Sequence, residues 1–392
     1  MPLTHSLWRQ DSFIFIEVFG CEGGIQSYIK DVLLAYSRLQ HSRKAHIFLL
    51  RDSLADIPAE FLSRFHVHCF KSGNPMVDRI RLTFALGWHL LVNRPRHLYC
   101  GHINLASMVH QLTRLPRVPY TVLTYGKEVW FPLKPSEGKA LQSAERVWSI
   151  SRYSAKLVCE ANQLAHHKID FLPCIVDGDK FTPAIANPAL QQHYGLTGAQ
   201  VLMTVARLWK GDPYKGVDVT IRALPEISKT FPNVKYLVIG RGDDQPRLAQ
   251  LAKDLGVVDQ VVFAGFVPNE QLVEHYRLAD VYVMPSQEGF GIVYLEAMAC
   301  GIPVISGDND GSADPLQDGR LGWHVPHRNP EAVATACIEV LRGEDRRCDS
   351  HWLREQTLAK FSKSALSLQL LKLLGNATMA PNPTEHYTKQ TN

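Results

Sequence analysis

Apolar residues along the chain follow two alternating rhythms. Short runs rich in β-branched and aromatic residues are separated by longer stretches in which apolar side chains recur every three or four positions. The runs predict strands at 13–18, 45–50, 97–100, 120–124 and 146–150. After a stretch punctuated by Pro173, Pro183 and Pro188, further strands are predicted at 201–205, 235–239, 260–264, 280–284 and 303–306. Between them the helical spacing is clearest at 217–223, 269–276, 292–299, 330–341 and 352–374, with Gly301 and Pro303 ending the third of these. Strand alternating with helix is the signature of parallel α/β sheets. The expectation is two similar βα modules joined near 175–198, followed by a polar tail from Ala377 expected to be disordered.

Composition agrees and narrows the choices. A chain of 392 residues, 45% apolar and 20% charged, can build two domains with real cores and is neither fibrous nor disordered. A net charge of +4 is far too small for coating a nucleic acid, so no nucleic-acid partner is expected. The total hides an asymmetry of +7 over residues 1–180 and −3 over the rest, with eight Lys or Arg against Asp78 alone between 61 and 120. The first twenty residues lack the basic and apolar regions of a signal peptide, which predicts a cytoplasmic protein. The eight cysteines are scattered without metal-type spacing and are expected to be reduced thiols. The apolar stretches are too short or too interrupted to span a bilayer, so any membrane contact is expected to be peripheral.

Three places could carry chemistry. Glu288 and Glu296 bracket Gly-Phe-Gly-Ile-Val-Tyr-Leu, at the carboxyl end of a predicted strand and about two turns into the next helix. Ligands of open α/β sheets bind at that edge, and Gly289 and Gly291 let backbone N–H groups approach a phosphate or sugar. Two carboxylates so placed suit the hydroxyls on either side of a sugar-linked diphosphate; the alternative is a pair of surface acids favoured at a helix start. Arg207, directly after a predicted strand, and Lys215, before Gly216 at a helix start, could neutralise a diphosphate leaving group, or could be solvated loop cations. Lys210 competes with Lys215 but lacks the following glycine. The glycine-rich turn Gly20-Cys-Glu-Gly-Gly-Ile-Gln26 after the first strand is a weaker phosphate or sugar cradle, equally consistent with a tight βα turn.

Taken in order, Gly23-Gly24-Ile, Arg207 with Lys215-Gly216, Val238-Ile-Gly-Arg-Gly242 and Pro285-Ser-Gln-Glu-Gly-Phe-Gly-Ile-Val-Tyr-Leu-Glu-Ala-Met-Ala-Cys-Gly-Ile-Pro-Val304 resemble the retaining glycosyltransferases of family 4. The resemblance runs over about 13–372 and is tighter in the second half. It implies an α/β protein of GT-B fold, two Rossmann-like parallel-sheet domains facing a central cleft. An acceptor-binding domain is expected over 1–180 and a nucleotide-sugar-binding domain over 181–355. A C-terminal helix over 356–376 is expected to pack back on the first domain, ahead of the tail at 377–392. Carried over by position, Arg207 and Lys215 would hold the donor diphosphate, Glu288 would lie at the donor sugar and Glu296 at the ribose. Gly289, Phe290, Gly291 and Ile292 would line phosphate and sugar, Gly23 and Gly24 would form the N-terminal glycine loop, and Arg241 and Val267 would frame the base. Neither metal nor cofactor is implied, the nucleoside diphosphate sugar being a substrate.

The chain departs from the family pattern where relatives carry a histidine before glycine, in Leu123-Thr-Tyr-Gly126. Tyr125 could supply a hydroxyl there, and His102 is a further candidate for the cleft or a packed loop histidine. Pro173-Cys-Ile-Val-Asp177 also departs, at the expected hinge. The predicted activity is UDP- or GDP-linked hexose transfer to an acceptor sugar or lipid-linked sugar in polysaccharide or glycolipid synthesis. The alternatives are a sucrose or glucan synthase type, a non-catalytic GT-B scaffold and a nucleotide-binding oxidoreductase, the last disfavoured by the missing glycine fingerprint. Residues 75–96 join Arg79, Arg81, Arg94 and Arg96 to Leu82, Phe84, Leu86, Trp88, Leu90 and Leu91. They are expected either to rest on an anionic membrane at the inner face or to form a solvated helix with one buried apolar face.

Overall fold

The computed structural model describes residues 10–39, 44–211 and 215–376. The tail from Ala377 and residues 212–214, inside the segment joining Arg207 to Lys215, lie outside them. The first sheet contains β1 (Ser12–Phe15), β2 (His46–Leu49), β3 (His66–Cys69), β4 (Leu98–Cys100), β5 (Tyr120–Thr124), β6 (Arg146–Ser149) and β7 (Ile169–Phe171). Their order is β3-β2-β1-β4-β5-β6-β7. The second sheet contains β8 (Gln200–Val205), β9 (Val234–Ile239), β10 (Val261–Gly265), β11 (Val281–Met284), β12 (Val304–Gly307) and β13 (Trp323–Val325), in the order β10-β9-β8-β11-β12-β13. Every pairing is parallel.

Central strands such as β5, β11 and β12 are buried along their whole length, because helices cover both faces, and this is why they read as continuous apolar runs. The strands missing from the sequence reading, β3, β7 and β13, all sit at sheet edges. Half-covered edges tolerate His66-Val-His-Cys69 and Ile169-Asp-Phe171, whose polar residues mask the apolar run. In each sheet the strand order reverses once, between β1 and β4 and between β8 and β11. Successive crossovers there leave for opposite faces and open a crevice at the carboxyl ends of the strands.

The predicted helix over 352–374 is two helices, Ser350–Phe361 and Lys363–Asn376, broken where Ser362 is extended. The first packs on helix Ile292–Ala299 and the second on helix Gly24–Leu39, at the first sheet. Arg354 donates to the carbonyls of Gly178 (2.7 Å) and Phe181 (2.5 Å), Val176 N–H donates to Phe361 (2.9 Å), and Lys363 Nζ lies 2.6 Å from Asp177 Oδ1. The departing hinge sequence is therefore held from both sides.

The helix predicted at 75–96 spans Pro75–Val92, capped by the Asn74 side chain on the amides of Met76 and Val77. It is apolar on two faces instead of one. Leu82, Leu86 and Leu90 are fully buried, whereas Phe84 (76%), Trp88 (72%), Met76, Ile80 and Leu91 stand exposed. Arg96 does not belong with the surface arginines: its guanidinium binds the buried Asp11 carboxylate at 2.9 and 2.5 Å. Asp11 is a partner that local composition cannot reveal.

Histidines collect near the amino ends of β1, β2 and β4. Buried His89 bonds the Ser12 hydroxyl and Asn93 (both 2.9 Å), and buried His97 bonds Thr121 (2.8 Å). Burial lowers both imidazoles to about 4 from 6.5. Both are neutral when folded and take up protons more readily when unfolded. Their contribution is therefore intact above pH 6.5 and lost as pH falls toward 4. Asp31 and Asp310, raised by burial to about 7 and about 6, act in the opposite sense but are common to parent and variant. Replacing His89 and His97 by Asn should lower stability at pH 7. The variant should then lose less than the parent on moving to pH 5, as urea midpoints at the two pH values would read; equal losses would refute it.

Candidate active site

The site forms at the reversal between β8 and β11. Lys215 precedes Gly216, whose φ of +75° is a left-handed conformation that glycine adopts without strain. Gly216 also packs on the end of β11, where a Cβ would lie 2.6 Å from the Pro285 carbonyl oxygen. That close approach carries Lys215 to the following loop, and its Nζ sits 2.5 Å from Glu288 Oε1 with both side chains largely buried. Arg207 and Lys215 line one pocket with Trp209, Asp218, Asp244 and Arg247. The cations and the first glutamate thus come together across two adjacent strands.

Two helix starts meet there. Gly216 caps helix Val217–Thr230 and Gly291 caps helix Ile292–Ala299, in each case without a side-chain cap, so first-turn N–H groups are left to an anion. Tyr294 anchors the second helix by donating to Met284 O at 2.9 Å. Two turns in, Glu296 accepts from the Tyr276 hydroxyl at 2.7 Å; burial raises its carboxyl and that bond lowers it. Arg241 lies over the Phe266 ring at 4.8 Å, next to half-buried Val267.

Asp310 was not foreseen. Buried behind the loop, its carboxylate accepts the amides of Glu288 (2.6 Å) and Ser312 (2.8 Å), while the Glu288 carbonyl accepts Gly311 N–H (2.8 Å). These bonds fix the backbone that presents the Glu288 side chain. Burial pushes the Asp310 carboxyl up to about 6 against the lowering effect of its donors. Its signal in the sequence was Asp310-Gly-Ser312 after β12, a capping pattern.

From the first sheet, the turn after β1 is tied down by buried Asp52, which accepts the amides of Val18, Phe19 and Gly20 at 2.8, 2.8 and 2.6 Å. This second residue was also missed, because it is brought in from β2. Gly23 and Gly24 follow, and a Cβ on Gly24 would meet Ile292 Cδ1 at 3.6 Å, so the glycine loop faces the second helix start. Gly289 lies still closer to the first domain: a Cβ there would fall 2.5 Å from the Tyr125 carbonyl oxygen. Ser154 Oγ also donates to Gly289 O at 3.4 Å, and Asn269 donates to Glu22 at 3.2 Å. At the rim, Arg152 pairs with Asp314 and, at 2.7 Å, with Asp318.

Tyr125 and His102 have structural partners. The buried Tyr125 hydroxyl donates to Gly101 O at 2.8 Å, and burial pushes the phenol well above its ordinary value. His102 caps helix Ile103–Thr113, its Nδ1 accepting Asn104 N–H at 3.1 Å, and burial lowers its imidazole. Among the described residues, no group of three or more His, Cys, Asp or Glu is placed to hold a metal ion.

Known proteins share sequence or fold with this chain. Residues 191–351 match the family model for glycosyl transferases group 1. A GDP-mannose-dependent alpha-(1-6)-phosphatidylinositol monomannoside mannosyltransferase of Mycolicibacterium smegmatis is 36% identical over 231 residues, 56% of this chain and 59% of that protein. The chain therefore spans about three fifths of the length of that relative. The corresponding monoacylated-substrate mannosyltransferase of Corynebacterium glutamicum is 29% identical over 83% of this chain and 87% of its own length. The solved structure of Anabaena HepE in complex with UDP superposes with a TM-score of 0.75 at 18% identity, over 94% of this chain and all of that one. Two parallel-sheet domains meeting at their carboxyl edges, superposable over nearly the whole chain on such a structure, give this protein the GT-B fold.

Proposed function

We propose that the chain is a retaining, metal-independent glycosyltransferase of family 4 that moves mannose from GDP-mannose to a hydroxyl of a lipid-linked acceptor. The observation that carries this is the Lys215–Glu288 pair set between two helix starts with no side-chain cap. Arg207, Lys215 and the first-turn amides take the diphosphate, so that charge developing on the leaving group is met by groups already in place. The sugar–phosphate bond breaks as the acceptor oxygen bonds the same carbon from the same face, and the proton passes to the departing phosphate oxygen. Glu288, held by Asp310 through its amide, orients the sugar and faces the positive charge that develops on it. Glu296 receives the ribose, and Arg241 with Phe266 and Val267 frames the base. The names of the sequence relatives favour GDP-mannose and a glycolipid.

The test is nucleotide binding followed by turnover. GDP should stabilise the protein by about 2.7 kcal/mol at a hundred times its dissociation constant. Lys215→Ala should weaken GDP at least tenfold, consistent with loss of one charge-assisted contact of about 1.5–3 kcal/mol. GDP release from GDP-mannose should require added phosphatidylinositol mannoside. Turnover of a UDP-sugar in place of GDP-mannose would overturn the donor, and undiminished GDP binding by the Lys215 variant would overturn the site.

The acceptor is reached at the inner face of the membrane through residues 75–96. The exposed Met76, Ile80, Phe84, Trp88 and Leu91 of helix Pro75–Val92, flanked by exposed Arg79, Arg81 and Arg94, match an anionic lipid surface in both polarity and charge. No helix among the described residues is long and apolar enough to cross a membrane. Replacing Phe84 and Trp88 by Ser should lower partition onto anionic vesicles at least about tenfold, since each buried large side chain is worth about 1.5–3 kcal/mol. Unchanged co-sedimentation would rule the helix out.

A further inference from the structure

We propose that a cationic cavity beneath the start of helix Pro75–Val92 binds the phosphate of a phospholipid-type acceptor, holding the headgroup between the membrane and the cleft. This deepens the lipid-acceptor reading above and rests on it. The cavity, of about 230 Å³, opens at the carboxyl ends of β1, β2 and β3 and is lined by Arg51, Lys71 and Arg79 together with Glu17 and Asp78. The three cations come from three separate elements, so the cluster is a product of the fold and not of one basic run.

With Glu17 and Asp78 in the lining the cavity keeps one net positive charge, and the hydrogen bonding of its cations leaves room for an anion. Asp78 is buried and already accepts the Ser72 amide (2.8 Å) and hydroxyl (2.5 Å). Lys71 reaches a carboxylate at 3.9 Å, that of Asp56, which Ser53 also engages. Among the described residues, no hydrogen bond or ion pair holds the side chain of Arg51 or Arg79. Two guanidinium forks and an ammonium around one cavity suit phosphate oxygens better than a carboxylate, because each fork can donate two parallel bonds.

Position points to an amphiphile. The cavity is lined by Pro75, directly before exposed Met76, so acyl chains could lie along the Met76, Ile80, Phe84 and Trp88 ridge. Glu17, also in the lining, lies close to Cys21 of the glycine turn, the turn that continues to Gly24 opposite Ile292. Arg51 is also close enough to bear on His102, at the start of the helix after β4. One molecule could therefore keep its chains on the ridge, its phosphate among the three cations and a headgroup hydroxyl directed toward Glu288.

The full chain is tested on phosphatidylcholine vesicles with and without phosphatidylglycerol, and in solution against glycerol phosphate and inorganic phosphate. Neutralising Arg51, Lys71 and Arg79 to Ala, all three exposed and so tolerant of change, should cost roughly fivefold in anionic-vesicle binding per cation removed. The same change at exposed Arg114, Arg117 and Lys139, outside the cavity and off the helix, should cost distinctly less. Glycerol phosphate should bind the parent and not the cavity variant, and anionic vesicles should displace it. Equal losses in the two triple variants would mean diffuse attraction and overturn the cavity. Phosphate binding that anionic vesicles fail to displace would identify a free-phosphate site and overturn the lipid. A chain that binds lipid through the cavity but takes no nucleotide would sink the transferase reading and leave the cavity assigned.

Discussion

Glu288→Gln should lower kcat about a hundredfold or more while leaving nucleoside diphosphate binding within a few-fold of the parent. Glutamine keeps an oxygen for Lys215 to donate to and leaves the backbone bonds to Asp310 and Gly311 untouched, so the loop stays where it is. What it removes is the negative charge that, on the proposed mechanism, faces the reacting sugar, and loss of one preorganised electrostatic partner costs about 10²–10³ in kcat. The diphosphate should bind no worse, because Lys215 gives up its internal counter-ion. Steady-state kinetics with GDP-mannose, together with GDP titration by calorimetry, separate the two effects. A kcat within about threefold of the parent would refute a catalytic role for this carboxylate.

Gly289→Ala should disable the enzyme for a different reason. The added methyl would fall 2.5 Å from the Tyr125 carbonyl oxygen and 3.5 Å from Gly126 Cα, and both are backbone atoms of the opposite domain that no rotamer change can move. The domains must part to admit it, and the Ser154–Gly289 contact goes with them. On the proposed function the diphosphate is held by one domain and the acceptor by the other, so a misplacement of about 1 Å can cost about a hundredfold in rate. GDP binding and melting temperature should change little, because the second domain's own loop is intact. Small-angle scattering should report a larger radius of gyration. Arg152→Ala is the control: it cuts the rim ion pairs with Asp314 and Asp318 but adds no atom to the cleft, and should cost far less. Parental activity in Gly289→Ala would show that the close approach has no part in turnover.

The fold was legible where burial is two-sided. Strands such as β11 and β12 announce themselves because nothing polar is tolerated along them, and helix Ile292–Ala299 because glycine brackets it on both sides. Legibility fails where cover is partial, as in His66-Val-His-Cys69, and where a helix carries apolar residues on two faces. In helix Pro75–Val92, Leu82 and Phe84 look alike as letters, but one is in the core and the other in solvent. The candidate site divides in the same way. Lys215 and Glu288 stand next to glycines that mark turns at strand ends, which is local information. Asp310 and Asp52 act on backbone amides of segments distant in the chain; the local pattern around Asp310 signals a cap on Ser312 but not the bond to Glu288, and Asp52 carries no trace of its duty. Arg96 shows the converse, since a residue that looks like surface charge is neutralised by Asp11, 85 positions away.

The polypeptide passes between the domains twice, once through the stretch around Val176 and once at Ser362, and the Val176 amide on the Phe361 carbonyl ties the two passages side by side. Paired threads of this kind behave as the spine of a book: they permit rotation about one line and resist torsion about any other. The domains are also joined by the Arg152–Asp314 ion pair, which works as a clasp. On the proposed function, each turnover that admits a donor and expels a nucleotide has to undo that clasp, which is a mechanical latch set close to the Glu288 loop. Asp314 N–H bonds the Gly311 carbonyl, the Gly311 N–H bonds the Glu288 carbonyl, and Ser154, two residues from Arg152, bonds Gly289.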